Sequence, residues 1–274
     1  MLNRFEANKI LHKKILSGDP FMAARIGATE IKAILYPSLP KLLKIFFKKR
    51  FFSRMFELSG FFPSNEENII RFSEMMLIDM KKVDILGSWR IEENFFKDEL
   101  NNAIRIKLNA LEPYLHDEPW SKALEGKKVL VVHPFAELIY KQYKKRSFLF
   151  PNNNVLPNFE LSVIKAVQSL SGEKNPFENW FQALEFMKKE ISQKDFDIAL
   201  IGCGAYGFPL AAHTKKIGKQ SIHIGGSLQI LFGIKGARWN NHPIISKFYN
   251  EHWVRPRAED KPSKSHLVEN DCYW

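Results

Sequence analysis

The fold is decided by residues 196–213, which read FDIALIGCGAYGFPLAAH. An apolar run that favours a β-strand ends in Gly202, Gly204 and Gly207, and a segment of helical character follows at once. A second short apolar run, residues 221–224, comes next. This order of strand, glycine turn, helix and strand is typical of a βαβ unit, whose helix N-terminus offers backbone N–H groups to a phosphate. The stretch therefore predicts an α/β protein that binds a nucleotide or another phosphorylated ligand.

Further apolar runs extend this pattern along the chain. Residues 128–132 read as an apolar strand of the kind that is buried in a parallel sheet, and residues 21–26 and 83–87 predict two more strands. Residues 148–156 predict a strand or an extended segment that contains a turn. Strands that alternate with helices indicate a Rossmann-like α/β fold, with a mostly parallel sheet, helices on both faces and a helical N-terminal part.

The chain of 274 residues is long enough to bury one substantial α/β core. We expect a single α/β domain over residues 1–254, with a helix-rich part at 1–120 and a regular Rossmann-like half at 126–235. Residues 255–274 are polar and contain prolines, so we expect them to form a tail that runs over the surface.

Composition argues against several classes of protein. Two cysteines cannot form a disulfide framework or a four-cysteine zinc site. No apolar run reaches the roughly 20 residues that span a bilayer, and the N-terminus lacks the apolar core of a signal peptide. Closely spaced histidine pairs are absent, which disfavours a zinc enzyme. We therefore expect a cytoplasmic location.

The net charge of +11 implies an anionic partner. Much of this charge lies in residues 41–56, where cations alternate with aromatic rings: Lys41, Lys44, Lys48, Lys49, Arg50 and Arg54 with Phe46, Phe47, Phe51 and Phe52. Three interpretations stay open: the basic edge of a partly buried helix pair, peripheral contact with an anionic membrane or lipid phosphate, and RNA binding. We rank nucleic acid below the other two. A membrane contact would place the protein at the inner membrane face.

Four predicted strand-to-helix turns carry glycines or polar side chains, at residues 25–30, 87–90, 133–137 and 202–207. In an open parallel sheet, ligands bind beyond the carboxyl ends of the strands. We therefore expect these four turns to face one common crevice, although they lie far apart in the sequence.

The side chains of these turns suggest roles in that crevice. Arg25 could hold a phosphate bidentately, and Glu30 could act as a base or ligate a divalent metal, with a salt bridge at a helix start as the alternative. His133 and His223 end predicted strands and could exchange protons or donate to a phosphate, or could be structural histidines. The further residues that we expect to contact the ligand are Gly27, Trp89, Gly202, Gly204, Ala205, Tyr206, Gly207 and Gly225.

Three alternatives concern single residues of these turns. The rings of Trp89 and Tyr206 could stack on a base or a sugar, although core packing suits Trp89 better. Residues 202–207 match the spacing of a dinucleotide fingerprint, but no acidic residue ends the next strand, so NAD is disfavoured. A phosphate cradle and a tight turn without a ligand both stay open. Cys203 has no adjacent basic residue, so we do not expect it to act as a nucleophile.

Two of these motifs resemble those of the bacterial GT-D fold glycosyltransferases, a family first described as a domain of unknown function. That family carries an Arg-x-Gly-Asp-x-Glu-like turn after an early strand, which corresponds to residues 25–30 here. It also carries a glycine-rich turn near the C-terminus and a short strand after it, which correspond to residues 202–207 and 222–225. The resemblance follows the order of elements over residues 20–235 and is specific at these short motifs.

The resemblance implies a glycosyltransferase that moves a sugar from a nucleotide-sugar donor to a glycan or lipid-linked acceptor in bacterial polysaccharide biosynthesis. In that family an Asp-x-Glu pair supports a divalent metal ion on the donor diphosphate. Glu30 matches the Glu, but Ala28 stands where the Asp would be. The resemblance therefore leaves open whether Mn²⁺ or Mg²⁺ takes part, because Arg25, lysines and the glycine-turn amides could neutralise the diphosphate instead.

Sugar transfer also needs a base for the acceptor hydroxyl. Glu30, His133 and Glu137 are the candidates, and the sequence does not rank them. Two alternatives to a glycosyltransferase stay open: another nucleotide- or phosphate-binding α/β enzyme, and a non-catalytic binding protein of a glycan-assembly complex.

Overall fold

Seven parallel strands form one sheet in the computed structural model, which describes residues 1–268 and 271–274. The strands are β1 (Met22–Ala24), β2 (Ile85–Ser88), β3 (Ile104–Lys107), β4 (Lys128–His133), β5 (Glu160–Lys165), β6 (Ile198–Ile201) and β7 (Gln220–His223). Their order across the sheet is β3-β2-β1-β7-β6-β4-β5, and every neighbouring pair is parallel. The predicted parallel sheet is confirmed.

Both faces of the central strands are buried. In β4, Val129 and Val131 join the apolar cluster on one face of the sheet, and Leu130 and Val132 join the cluster on the other. Successive side chains of a strand alternate between its faces, so a strand that is covered on both sides must be apolar throughout. This burial explains the uninterrupted apolar runs in the sequence.

Eight α-helices cover the two faces in the described part of the chain. They are α1 (Arg4–Ser17), α2 (Ala28–Leu35), α3 (Lys41–Ser59), α4 (Glu66–Met80), α5 (Ala136–Tyr143), α6 (Trp180–Ser192), α7 (Gly207–Lys216) and α8 (Leu228–Leu231). Helices α1, α5 and α8 pack on one face, and α2, α3, α4, α6 and α7 pack on the other. The α/β architecture predicted from the sequence is confirmed. None of the described helices is long and apolar enough to cross a membrane.

The chain leaves neighbouring strands towards opposite faces at two places in the sheet. After β4 it continues into α5 on one face, whereas after the adjacent β6 it continues into α7 on the other. The same divergence separates β1, which leads to α2, from β7, which leads to α8. Such switch points leave a crevice beyond the carboxyl ends of the strands.

Two edge strands are not marked by an apolar run. Within residues 148–156 the predicted turn is confirmed at Pro151 and the asparagines that follow it, but no strand forms there. The strand of this region is β5, further along the chain. Strands β3 and β5 form the two edges of the sheet, and most of their side chains are partly or fully exposed. An edge strand needs fewer apolar residues, so its sequence signal is weaker.

The end of the chain does not form the surface tail that is predicted for residues 255–274. Val268, Cys272 and Trp274 are buried in the apolar cluster that also contains α1, α5 and α8. The backbone N–H of Ala237 donates to the carbonyl oxygen of Trp274 at 3.1 Å. The three apolar side chains outweigh the polar composition of this segment, because their burial removes them from water.

Candidate functional site

A cavity of about 190 Å³ lies at the carboxyl ends of the strands, where the two switch points meet. The segments that follow β1, β2, β4, β5, β6 and β7 all contribute to its walls. Most of the site residues predicted from the sequence line it: Arg25, Gly27, Glu30, Trp89, His133, Gly202, Gly204, Ala205, Tyr206, His223 and Gly225.

Two predicted site residues do not line this cavity. Glu137 lies in the first turn of α5, and its exposed carboxylate is 3.8 Å from Nζ of Lys165 and 3.5 Å from Nη2 of Arg257. These contacts hold it outside the cavity, which removes it from the candidate bases. Gly207 packs against the imidazole of His223, which does line the cavity, and any side chain at Gly207 would overlap this ring.

Arg25 lines the cavity as a cation that forms no ion pair within the described residues. Its Nε is buried without a hydrogen-bond partner, and its Nη2 reaches the carbonyl oxygen of Ile26 only at 3.5 Å. The guanidinium carbon lies 5.0 Å from the centre of the Trp89 ring. Buried donors are almost always satisfied in folded proteins. Arg25 also lines the cavity, so its guanidinium, which has no ion-pair partner among the described residues, favours an anionic ligand there.

Glycines bring the ends of β6 and β7 against Arg25. At Gly225 the angle φ is +73°, and a Cβ atom there would lie 3.0 Å from Nη1 of Arg25. A side chain at Gly202 would overlap the carbonyl oxygen of Gly225. Residues Gly204–Tyr206 form a 3-10 turn ahead of α7, so this wall carries the N–H groups that a helix start leaves without intrahelical partners. N–H groups at a helix start are the feature by which helix N-termini can bind anions.

The two histidines of the cavity hold their protons on different nitrogens. Nδ1 of His133 accepts the backbone N–H of Phe135 at 3.0 Å, so the proton of the neutral ring is on Nε2. Nδ1 of His223 lies 3.1 Å from the carbonyl oxygen of Ile201, which can only accept, so this ring carries its proton on Nδ1. His133 therefore has an Nε2–H donor, and His223 has an Nε2 lone pair.

Burial keeps both imidazoles neutral at pH 7. It lowers the pKa of His133 to about 3, and it does the same at His223, where the charge of Arg25 adds to the effect. Of the two roles predicted for His133, donation to a phosphate suits this tautomer better than proton abstraction. His223 can accept a hydrogen bond from a hydroxyl group.

Glu30 is the acidic residue in the cavity lining. Its carboxylate folds back over Gly27, where any side chain would overlap it. Among the described residues of the lining there is no second Asp or Glu side chain.

The side chains of the cavity lining do not form a divalent-metal site by themselves. Ala28 lines the cavity at the position where the family resemblance places an aspartate, and a methyl group cannot ligate a metal. Within residues 1–268 and 271–274, no group of three or more His, Cys, Asp or Glu side chains could hold one. A metal ion at Glu30 would therefore need the phosphates of a bound ligand to complete its coordination.

The structure differs from the sequence-based expectation for two aromatic residues: Trp89, for which the sequence favours core packing, is exposed, whereas Tyr206 is buried. Trp89 is 41% exposed, and its Nε1–H donates to the carbonyl oxygen of Ile26 at 2.9 Å, which fixes the orientation of the ring. Tyr206 is buried and stacks on Trp180 with ring centres 4.8 Å apart. Its hydroxyl lies 3.1 Å from that of Ser169. Trp89 is thus the ring available to a base or sugar, and Tyr206 belongs to the core.

The thiol of Cys203 also belongs to the packing of this wall. Cys203 lines the cavity but is 5% exposed, and burial raises its pKa well above the ordinary value. A thiol of this kind stays protonated and unreactive.

Several residues at or near the cavity belong to no motif that could be recognised in the sequence. Arg238, Tyr273 and Trp274 line it from the C-terminal part of the chain, which has no strand-end motif. Glu112 follows β3 and lies near Arg25; burial raises its pKa to about 7, while hydrogen bonds with Ser227 and Tyr114 and the charge of Arg25 lower it. A carboxyl group in such surroundings changes its charge near neutral pH.

Comparisons with known proteins give a distant similarity. No family model matches the chain, and no curated protein matches it. Among solved structures, the chain is similar to a selenomethionine-substituted structure of domain of unknown function 1792. The two are 13% identical, the match covers 92% of this chain and 99% of the other, and the TM-score is 0.41. Similarity at this level carries no statement about the site or its chemistry.

The buried histidines predict a loss of stability in acid. The ordinary histidine pKa is 6.5, and the folded value at His133 is about 3, so the unfolded chain binds the extra proton between these values. The contribution of the neutral His133 ring to the unfolding free energy is complete above pH 6.5. It falls by about 1.4 kcal/mol for each pH unit below this value. We expect His133→Asn to reduce the slope of unfolding free energy against pH between 6.5 and 5, measured by urea denaturation. An unchanged slope would contradict the buried, neutral state of this ring.

For the buried carboxyl group of Glu112 we expect the opposite dependence of stability on pH. Its ordinary pKa is 4.5 and its folded value is about 7, so the folded protein binds the extra proton between these values and stability falls as pH rises through this window. We expect the unfolding free energy of wild type, minus that of Glu112→Gln, to decrease from pH 4.5 to 7. A difference that does not vary with pH would contradict the burial of this carboxyl group.

Proposed function

We propose that the protein is a glycosyltransferase that moves a sugar from a nucleotide-sugar donor to a hydroxyl group of a glycan or lipid-linked acceptor, without a metal ion. The observation that carries this proposal is Arg25, a cavity-lining cation with a buried, unpartnered Nε beside a helix start. The motif resemblance at residues 25–30 and 202–207 supplies the reaction class.

The donor diphosphate binds between Arg25 and the start of α7. Arg25 offers charged donors to the phosphate oxygens, and the turn at Gly204–Tyr206 offers backbone N–H groups. His133 adds a neutral Nε2–H donor. As the bond to the sugar breaks, negative charge grows on the leaving diphosphate, and these fixed donors stabilise it without reorganisation.

The exposed Trp89 ring is the surface on which the base or the sugar of the donor stacks. Its indole is held from behind by the hydrogen bond to Ile26, and the guanidinium carbons of Arg25 and Arg90 lie 5.0 and 5.4 Å from the ring centre. A ring held in this way loses little freedom when a ligand stacks on it. Trp89 therefore positions the donor while Arg25 holds its charge.

Glu30 is the base that takes the proton of the acceptor hydroxyl. Of the three candidates from the sequence, Glu137 lies outside the cavity, and His133 carries its proton on Nε2. Glu30 remains as a cavity-lining carboxylate. The Nε2 lone pair of His223 could orient the same hydroxyl group before the proton moves.

Nucleotide binding tests the anion site. We expect isothermal titration calorimetry to detect a nucleoside diphosphate from a panel of bases, with the same affinity in Mn²⁺ and in EDTA. Arg25→Ala should raise its Kd by about tenfold or more, because hydrogen bonds to charged groups contribute about 1.5–3 kcal/mol. Arg146→Ala is the matched control, since Arg146 is also half-buried over an aromatic ring, 5.4 Å from the centre of Tyr143, but outside the cavity.

Three results would count against this assignment of the anion site. Failure of every nucleotide to bind would overturn the proposal. Binding that needs Mn²⁺ would overturn its metal-free form. An equal loss of affinity in Arg25→Ala and Arg146→Ala would show that Arg25 acts through stability alone.

Turnover tests the reaction itself. In an assay that follows release of nucleoside diphosphate from nucleotide sugars in the presence of glycan acceptors, Glu30→Gln should lower kcat by about 10²–10⁴-fold, because it removes the base. The Kd for the diphosphate should stay the same. Glu137→Gln should leave kcat unchanged, since Glu137 lies outside the cavity. Tight nucleotide binding with no turnover on any donor would favour a non-catalytic binding protein.

A further inference from the structure

Helix α3 exposes large apolar side chains along its first half. Leu42, Ile45 and Phe46 are 65%, 67% and 71% exposed, and Phe47 is also more than half exposed. Within this helix of 19 residues, only Met55 and Ser59 are buried. Contiguous apolar surface of this kind is rare on a protein that makes no contact there, and it marks an interaction site.

The same stretch is strongly basic. Residues 41–56 contain six lysines and arginines and no acidic residue. Part of this charge is used within the protein: Lys48 lies 2.6 Å from Glu66, and Lys44 donates to the carbonyl oxygen of Pro37 at 2.7 Å. Lys49 and Arg50 form no ion pair within the described residues. The exposed apolar side chains are therefore surrounded by cations that can bind an anionic partner.

A cleft between α2 and α3 adjoins this surface. It encloses about 380 Å³ and is lined by Leu35, Tyr36, Leu39, Phe47 and Phe51 together with Lys32, Arg50 and Arg54. Its charged side chains are all cationic. An apolar cleft with cations as its only charged groups fits an amphiphile with an anionic head group.

We propose that the first half of α3 and the α2–α3 cleft dock on an anionic phospholipid bilayer. The apolar side chains at 42–47 lie at the boundary of head groups and acyl chains, the lysines and arginines reach the phosphates, and the cleft receives one phospholipid. RNA would use the cations but would leave Leu42 and Ile45 in water. The bilayer accounts for both sets of side chains.

The docking face is connected to the candidate site through α3 itself. Leu58 and Ser59, at the C-terminal end of this helix, line the cavity at the strand ends. At 1.5 Å per residue, they lie about 18 Å along the helix axis from Phe47. The proposal rests on α3 and its cleft, so it does not depend on the glycosyltransferase activity proposed above.

Co-sedimentation with vesicles tests the apolar part of the docking face. The full chain should sediment with phosphatidylcholine vesicles that contain phosphatidylglycerol, and much less with phosphatidylcholine alone. Ile45→Asp with Phe46→Asp should lower the partition coefficient about tenfold or more. Ile78→Asp is the control, because Ile78 is 61% exposed on α4, outside this face. Both side chains changed on α3 are exposed, so melting temperatures should stay close to that of the wild type.

A charge-reversal pair tests the basic part. Lys49→Glu with Arg50→Glu should abolish the preference for phosphatidylglycerol, whereas Lys13→Glu with Lys122→Glu changes the net charge equally on the opposite face of the sheet and should bind as wild type does. Inorganic phosphate should not compete, since it lacks acyl chains. No sedimentation with anionic vesicles, equal losses in both charge pairs, or full competition by phosphate would each overturn the proposal.

Discussion

The candidate site depends on close backbone packing between the ends of β6 and β7. A side chain at Gly202 would meet the carbonyl oxygen of Gly225, and one at Gly207 would overlap the ring of His223. Gly225 has a positive φ and no side chain, and the Arg25 guanidinium lies next to the position that a Cβ atom would take there. These three glycines lie close together and have no side chains. The ends of β6 and β7, the start of α7 and the guanidinium of Arg25 can therefore meet at one cavity. The electrostatics of the cavity follow from this contact.

Tight packing excludes water from the walls of the cavity, and this burial determines which of the side chains there are charged. Burial disfavours the imidazolium form, so His133 and His223 are neutral donors and acceptors rather than cations. Arg25 and Arg238 then supply the positive charge of the lining, and Glu30 supplies the negative charge. The guanidinium of Arg25, which forms no ion pair within the described residues, favours an anionic ligand in the cavity.

Most of the cavity could be predicted from the sequence because one rule, that ligands bind beyond the carboxyl ends of parallel strands, needs only the strand positions. It locates Arg25 and His133 although they come from different strands. It fails at Glu137, the second residue of α5, because successive residues of a helix are rotated by about 100° and Glu137 does not face the cavity. It misses Glu112 because the edge strand β3 before it carries no apolar run, and it is silent on Tyr273, which reaches the cavity through packing between distant parts of the chain. No local pattern in the sequence records such packing.

The distribution of charge changes the meaning of the basic composition. Of the 41 lysines and arginines, Arg25 and Arg238 line the cavity, whereas residues 41–56 hold six cations with no acidic residue among them. The net charge of +11 is therefore weak support for a phosphate ligand in the cavity, and the unpartnered Nε of Arg25 is the stronger argument. The excess charge on α3 needs its own explanation. Because this helix ends at the cavity, an anionic surface bound along its first half would hold the opening at a fixed distance from that surface.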